Sequence, residues 1–185
     1  MDSNDQTNEV TQKKEETLTN IENDDENVKE DSYSCDLVFK LLNGIKFTTL
    51  DHKPCKTSEE SAQVRGVSLD SGAKAMLLKD KQNITFILAV MSASRKLSWK
   101  LIRGIVGHKK LDLAKPEEVY NLTKCIPGAV PPFGSIWGIK TLTDQSLLDQ
   151  GDVINFNCGL RTKSISMKTE DYLNIEKPQV CQFTE

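Results

Sequence analysis

The chain has 185 residues, of which 24 are Lys or Arg and 27 Asp or Glu, for a net charge of −3. That length suits one domain with an appendage, and no apolar run is long enough to suggest a membrane-spanning helix. The charge is unevenly spread: residues 1–32 hold 11 acidic and 3 basic residues, net −8, which leaves residues 33–185 at +5.

Residues 1–32 contain no aromatic, Gly, Pro or Cys residue. Such a segment cannot bury enough apolar surface to offset its ordering entropy, so a disordered acidic tail is expected. The remaining basic domain favours polyanionic partners. The five cysteines (Cys35, Cys55, Cys125, Cys158, Cys181) are odd in number and form no CxxC pair. With no secretory signal, a cytoplasmic location with reduced thiols is expected. His52 and His108 lie too far apart for zinc-ligand spacing, and neither a metal nor another cofactor is expected.

The elements follow in chain order. "DLVFKLLNG" (36–44) has apolar residues at helical spacing and Gly44 as a stop. "IKFTTLDH" (45–52) alternates as a strand does. "TSEESAQVRG" (57–66) predicts a helix capped by Thr57 or Ser58, with Glu60 or Ser61 three residues on and Gly66 at its end. A strand follows over 73–79. "NITFILAVM" (83–91) is apolar on both faces, which predicts a central strand. "KLSWKLIRGIVG" (96–107) reads as a basic amphipathic helix and "KLDLA" as a short strand. Pro116, Glu117 and Glu118 mark the start of a helix over 115–125. Residues 125–138 read as a loop, "VINFNCG" and "KSISMK" as late strands, and "TEDYLNI" as a last helix. The alternation gives an α/β or α+β domain over 33–177, with 178–185 as a C-terminal tail.

Two features stand out for chemistry. Strand alternation puts Lys74 on the face of Met76 and Leu78. An ammonium there either snorkels to water or has a partner, because burying it alone is costly. "PGAVPPFGS" (127–135) packs three prolines and two glycines into nine positions. It is stiff yet able to aim backbone N–H and C=O groups, or it is simply a crossing loop.

In order and spacing, "GAKAMLLKD", "PGAVPPFG" and "NCGLRTKSISMKTEDYL" resemble the YbaK/ProX family of aminoacyl-tRNA deacylases and prolyl-tRNA synthetase editing domains. The resemblance runs from His52 to Leu173. It matches the strand lysine to Lys74 and a GxxxP loop to Gly128–Pro132, followed by Phe133 and Gly134. "HKPCKTSEES" is similar to the family's His-x4-Thr approach to its first pocket helix, matching His52 and Thr57. Ala75 departs from many alanine-removing members, which carry Asn after the lysine, so the amino acid removed stays open.

The resemblance implies a mixed, strongly curved sheet surrounded by helices, and hydrolysis of the ester that joins a mischarged amino acid to tRNA. It implies Lys74, Gly128 and Pro132 as catalytic, and His52, Thr57, Ala129, Val130, Phe133, Gly134 and Ser135 as substrate-binding. For His52 alone, a strand-ending role ranks first. Its implied partners are the acceptor end of mischarged tRNA and an aminoacyl-tRNA synthetase. An activated ester needs no covalent nucleophile, only positioned dipoles and an oriented water. The run Arg95, Lys96, Lys100, Arg103, Lys109 and Lys110 is expected to track tRNA phosphates, unless it is a solvated helix face. Trp99 and Trp137 are candidates for base stacking, although Trp is more often a core residue. A non-catalytic tRNA-binding or scaffolding module on the same fold is the alternative reading.

Overall fold

The computed structural model describes residues 30–82 and 85–185. The acidic tail expected over 1–32 lies outside them apart from its last three residues.

Local chemistry accounts for the element ends. Helix α1 spans Tyr33–Leu41, and Gly44 turns the chain at φ 82°. Strand β1 is Phe47–Asp51 and helix α2 is Ser58–Arg65. Thr57 caps α2, its Oγ1 accepting from the Glu60 N–H at 3.1 Å, while the Glu60 carboxylate accepts from the Lys56 N–H at 2.7 Å. A cap of this kind contributes about 1 kcal/mol. Gly66 closes α2 in the left-handed region at φ 67°, where a side chain would be strained. A short 3-10 turn, Leu69–Ser71, leads into β2, Ala73–Asp80, and β3 is Thr85–Ser92.

Helix α3, Trp99–Val106, starts three residues later than predicted. The backbone of Lys96 pairs instead with Glu185, donating at 3.2 Å and accepting at 2.9 Å. Strand β4 is Leu111–Leu113, and α4 is Pro116–Thr123 with Pro116 in its first turn. The predicted loop contains a 3-10 turn, Gly134–Trp137. Then come β5, Lys140–Asp144, α5, Gln145–Leu148, β6, Val153–Leu160, and β7, Lys163–Lys168. Helix α6, Thr169–Glu176, and β8, Gln179–Cys181, end the chain.

The mixed α/β fold that the resemblance implies is present, and its strands lie in two sheets. One is antiparallel, in the order β1-β7-β6, and the other is mixed, in the order β4-β2-β3-β5-β8. They meet where Gly72 and Asn155 form an isolated parallel bridge. Strand β3 is central, as its two apolar faces require, with β2 antiparallel on one side and β5 parallel on the other.

Two apolar clusters hold these layers. Leu78, Ile87, Ala89 and Met91 pack with Ile102, Leu111, Leu142 and Phe183. Phe133, Phe156 and Tyr172 form the second, with Phe133 edge-on to both partners at 5.5 Å. Each fully buried side chain of this size contributes roughly 1.5–3 kcal/mol by area alone.

The C-terminal segment is not a tail. Strand β8 pairs in parallel with β5, and Phe183 is fully buried. The Asp144 carboxylate fastens the segment, accepting from the Phe183 N–H and the Thr184 hydroxyl. Unlike β4, Gln179–Cys181 shows no apolar alternation that would mark a strand in the sequence.

Candidate active site

A cleft of about 680 Å³ lies where α2, β2, α4 and the proline-rich loop meet. Ala73–Leu77 of β2 line it, with Thr57, Ser58, Ser61 and Ser68 bringing hydroxyls from around α2. Leu113, Ala114, Pro116 and Val119 bring an apolar wall, and Pro127, Gly128 and Val130 come from the loop. The charged lining residues are Lys56, Arg65, Lys74 and Lys115, with no carboxylate among them. That balance suits an anionic or acceptor-rich ligand.

Lys74 and the loop, more than fifty residues apart in sequence, therefore share one cleft. Lys74 does not snorkel freely: its Nζ donates to the Arg95 carbonyl at 2.7 Å. Burial pulls its pKa below the ordinary lysine value, with the Glu59 carboxylate opposing. Gly128 has φ 90°, which a glycine adopts at little cost. Among the described residues, the N–H groups of Gly128 and Val130 have no hydrogen-bond partner.

Of the residues expected at the site, Lys74, Thr57, Gly128 and Val130 line the cleft. The others do not. Ala129 is fully buried, its N–H donating to the Ile126 carbonyl and its own carbonyl accepting from Gly159. Pro132 is buried beside Phe133, which belongs to the aromatic cluster. Gly134 has no room for a side chain, because a Cβ there would press on Thr141 Oγ1 and lie 2.9 Å from the Ile139 carbonyl. Ser135 binds the Glu176 carboxylate through both its N–H, at 3.1 Å, and its hydroxyl. The stretch after Val130 thus fastens the loop to the core and lies outside the cleft lining.

His52 stands behind the cleft. Its Nδ1 lies 2.8 Å from the Lys53 carbonyl, which can only accept, so that nitrogen carries the proton. Its Nε2 pairs with Ser164 Oγ at 2.6 Å. Cys55 lines the cleft with its Sγ 3.6 Å from the same Nδ1. Because that nitrogen is already a donor, it cannot serve as base for the thiol, and this is not an activated nucleophile pair.

Sequence reasoning missed a polar group at the back of the cleft. Arg65 Nε donates to Ser164 Oγ at 2.8 Å, and its Nη2 donates to Asn157 Oδ1 at 2.6 Å. Asn157 Nδ2 donates to the Gly128 carbonyl at 2.9 Å. Burial brings the Arg65 guanidinium down to about 10, with the nearby Cys55 opposing. One signal was available: asparagines alternating with Ile154, Phe156 and Cys158 on a strand must find partners if buried.

In the basic run, Arg95, Lys96, Lys100, Lys109 and Lys110 are exposed. Arg103 is engaged: it donates to the Leu111 carbonyl at 3.0 Å and lies over the Trp99 ring at 5.2 Å. Trp99 packs against the core under that guanidinium, and Trp137 is partly buried.

The profile of the aminoacyl-tRNA editing domain matches residues 52–175. The chain belongs to this family. The matched editing domain contains every residue that lines the cleft. Among curated relatives, the Multifunctional Ser/Thr-tRNA deacylase ProXp-y of Escherichia coli (strain K12) is 34% identical over 142 residues, 76% of this chain and 85% of the relative. The Prolyl-tRNA editing protein ProX of Acetoanaerobium sticklandii is 29% identical over 90 residues, 49% of this chain and 55% of that protein. The editing fold also superposes on the crystal structure of a candidate trans-editing enzyme for prolyl tRNA synthetase. The TM-score is 0.72 at 22% identity, covering 82% of this chain and 97% of the other.

Proposed function

We propose that the cleft hydrolyses the ester of mischarged aminoacyl-tRNA, proofreading translation. The observation that carries this reading is the meeting of Lys74 with the Gly128 loop in a cleft whose charged lining residues are all cationic. The ammonium of Lys74 holds the terminal nucleotide's phosphate or the aminoacyl carbonyl. Backbone dipoles of the loop, including the unpaired N–H groups of Gly128 and Val130, orient the ester and stabilise the charge that develops on its carbonyl oxygen.

The attacking water forms the new C–O bond, the bond to the ribose oxygen breaks, and the water's proton passes to that oxygen. The free ribose hydroxyl of the substrate helps to orient the water. No residue needs to form a covalent intermediate, because the ester is already activated.

The amino acid removed is a small hydroxylated one, serine or threonine. Thr57, Ser58, Ser61 and Ser68 supply hydroxyl partners on one side of the cleft, and the Escherichia coli relative is named a Ser/Thr-tRNA deacylase. The acceptor end is the part of tRNA that enters. A tRNA substrate calls for the compartment of translation, here read as the cytoplasm. The expected synthetase partner has its own test, co-sedimentation with purified synthetases.

A panel of mischarged tRNAs tests the reading. Release of serine or threonine at rates well above spontaneous hydrolysis is expected. Failure to release any amino acid from any member of the panel overturns it.

A further inference from the structure

Strand β6 carries two asparagines on one face, and Asn157 lines the cleft. Asn155 and Asn157 are 2% and 9% exposed and share one face, while Ile154, Phe156 and Cys158 fill the core on the other. Each faces a serine across the ladder, Asn155 opposite Ser166 and Asn157 opposite Ser164. Asn155 Nδ2 donates to Ser71 Oγ at 2.9 Å, in the turn that starts the strand of Lys74. Asn157 Nδ2 donates to the carbonyl of Gly128 at 2.9 Å.

The orientation of the Asn157 amide is fixed by chemistry. Arginine only donates and a backbone carbonyl only accepts, so Oδ1 must face Arg65 and Nδ2 must face Gly128. Ser164, placed between His52 and Arg65, holds that guanidinium in its plane. The chain of contacts ends not on the core but on an exposed glycine with φ 90°.

The effect on the loop follows from peptide geometry. The Gly128–Ala129 peptide is held at both ends, its carbonyl by Asn157 and its N–H by Ile126. The Ala129 carbonyl is held by the N–H of Gly159, also on β6. In a trans peptide the N–H points opposite to the C=O, so the Val130 N–H points away from β6. Gly128 itself, at φ 90°, joins this held peptide to the one that carries its own N–H, so without the Asn157 clamp rotation about Gly128 would leave that donor's direction unset.

We propose that Asn157 is a positioning residue for deacylation, and that Arg65, Ser164 and His52 act through it to fix the direction of the loop's backbone donors. This rests on the function proposed above. It concerns how the loop is aimed and not which amino acid is removed.

The decisive variant is Asn157→Asp in the full chain. It keeps shape and the acceptor for Arg65 but sets an oxygen against the Gly128 carbonyl. Expected is a fall in kcat of roughly 10- to 100-fold, with KM for mischarged tRNA within about twofold of wild type. The amide resonances of Gly128 and Val130 should shift while those of β2 and β3 stay in place. Arg65→Lys, which cannot form the planar fork, should lower kcat in the same way. The two changes together should cost less than the sum of their separate effects.

A folded Asn157→Asp protein with wild-type kcat overturns the proposal, as does a rise in KM alone. Resonances of Gly128 that do not move overturn it independently of activity. Inactivity of the wild-type chain on every mischarged tRNA would count against the function, and the resonance test would still decide the clamp.

Discussion

Lys74 is bonded through Nζ to the carbonyl of Arg95, 21 residues along the chain, at 2.7 Å. Met91 pairs directly with Lys74 in the β2–β3 ladder, so the segment that follows β3 turns back over the lysine. An ammonium has three donors, and this bond uses one. The carbonyl thus fixes the direction of the side chain and leaves donors for a substrate oxygen.

Lys74→Ala should therefore remove activity and spare the fold. Loss of one preorganised donor costs about 2–4 kcal/mol of transition-state stabilisation, or roughly 10²–10³ in kcat. Lys74→Arg should also fail, because a planar fork does not reproduce a compact ammonium held by one carbonyl. Single-turnover deacylation with circular dichroism as folding control is the measurement. Full activity in Lys74→Ala would leave the residue as a strand lysine with a capping contact.

Gly134, expected from its motif to touch substrate, should behave as a packing residue. An added methyl would press on Thr141 Oγ1 and lie 2.9 Å from the Ile139 carbonyl, and backbone cannot yield easily. Gly134→Ala should cost about 1–3 kcal/mol of stability. Thermal melting reads this, and an unchanged melting temperature would show that the loop has slack there.

Asp144 gives the fold a pH dependence. Burial pushes its carboxyl up, but the donors Phe183 N–H, Ser146 and Thr184 outweigh it, and its pKa ends below the ordinary carboxylate value. A carboxyl with a lowered folded-state pKa stabilises fully above its unfolded value, about 3.9. That contribution is lost as pH falls through the folded value. Asp144→Asn should therefore cost about 1–3 kcal/mol at neutral pH. The gap from wild type should close below about pH 4. Denaturant melts of both proteins across pH 3–8 would show it, and a gap that does not change with pH would refute the assignment.

On the proposed function the cationic lining and the exposed Arg95, Lys96, Lys100, Lys109 and Lys110 would meet phosphates, so binding of tRNA should weaken steeply with salt. Lys115→Gln or Lys100→Gln should lower the salt slope by about one each. Arg103→Gln should leave the slope nearly unchanged and lower stability, since its guanidinium is spent on Leu111 and Trp99. Affinity that stays flat in salt would exclude a phosphate-tracking surface.

Local chemistry made much of this protein readable in one dimension. Thr57, Glu60 and Gly66 mark α2, Pro116 marks α4, and the doubly apolar run marks β3 as central, because caps and periodicity act within a few residues. Lys74 and Gly128 were legible as candidates because a lysine on an apolar face and a glycine among prolines are each locally costly. The direction of the loop was not legible. Val130 lines the cleft, whereas Phe133, Gly134 and Ser135 are fastened to Phe156, Thr141 and Glu176, partners no spacing rule could supply. Arg65 and Asn157 carry no local signal of their own: one ends a helix and the other sits mid-strand. They became part of the site only when α2, β6 and β7 came together, since a partly buried guanidinium and a buried amide must find each other's lone pairs and protons in space. The C-terminal strand arose the same way: Gln179–Cys181 carries no apolar alternation, and the buried carboxylate of Asp144 holds the residues that follow it.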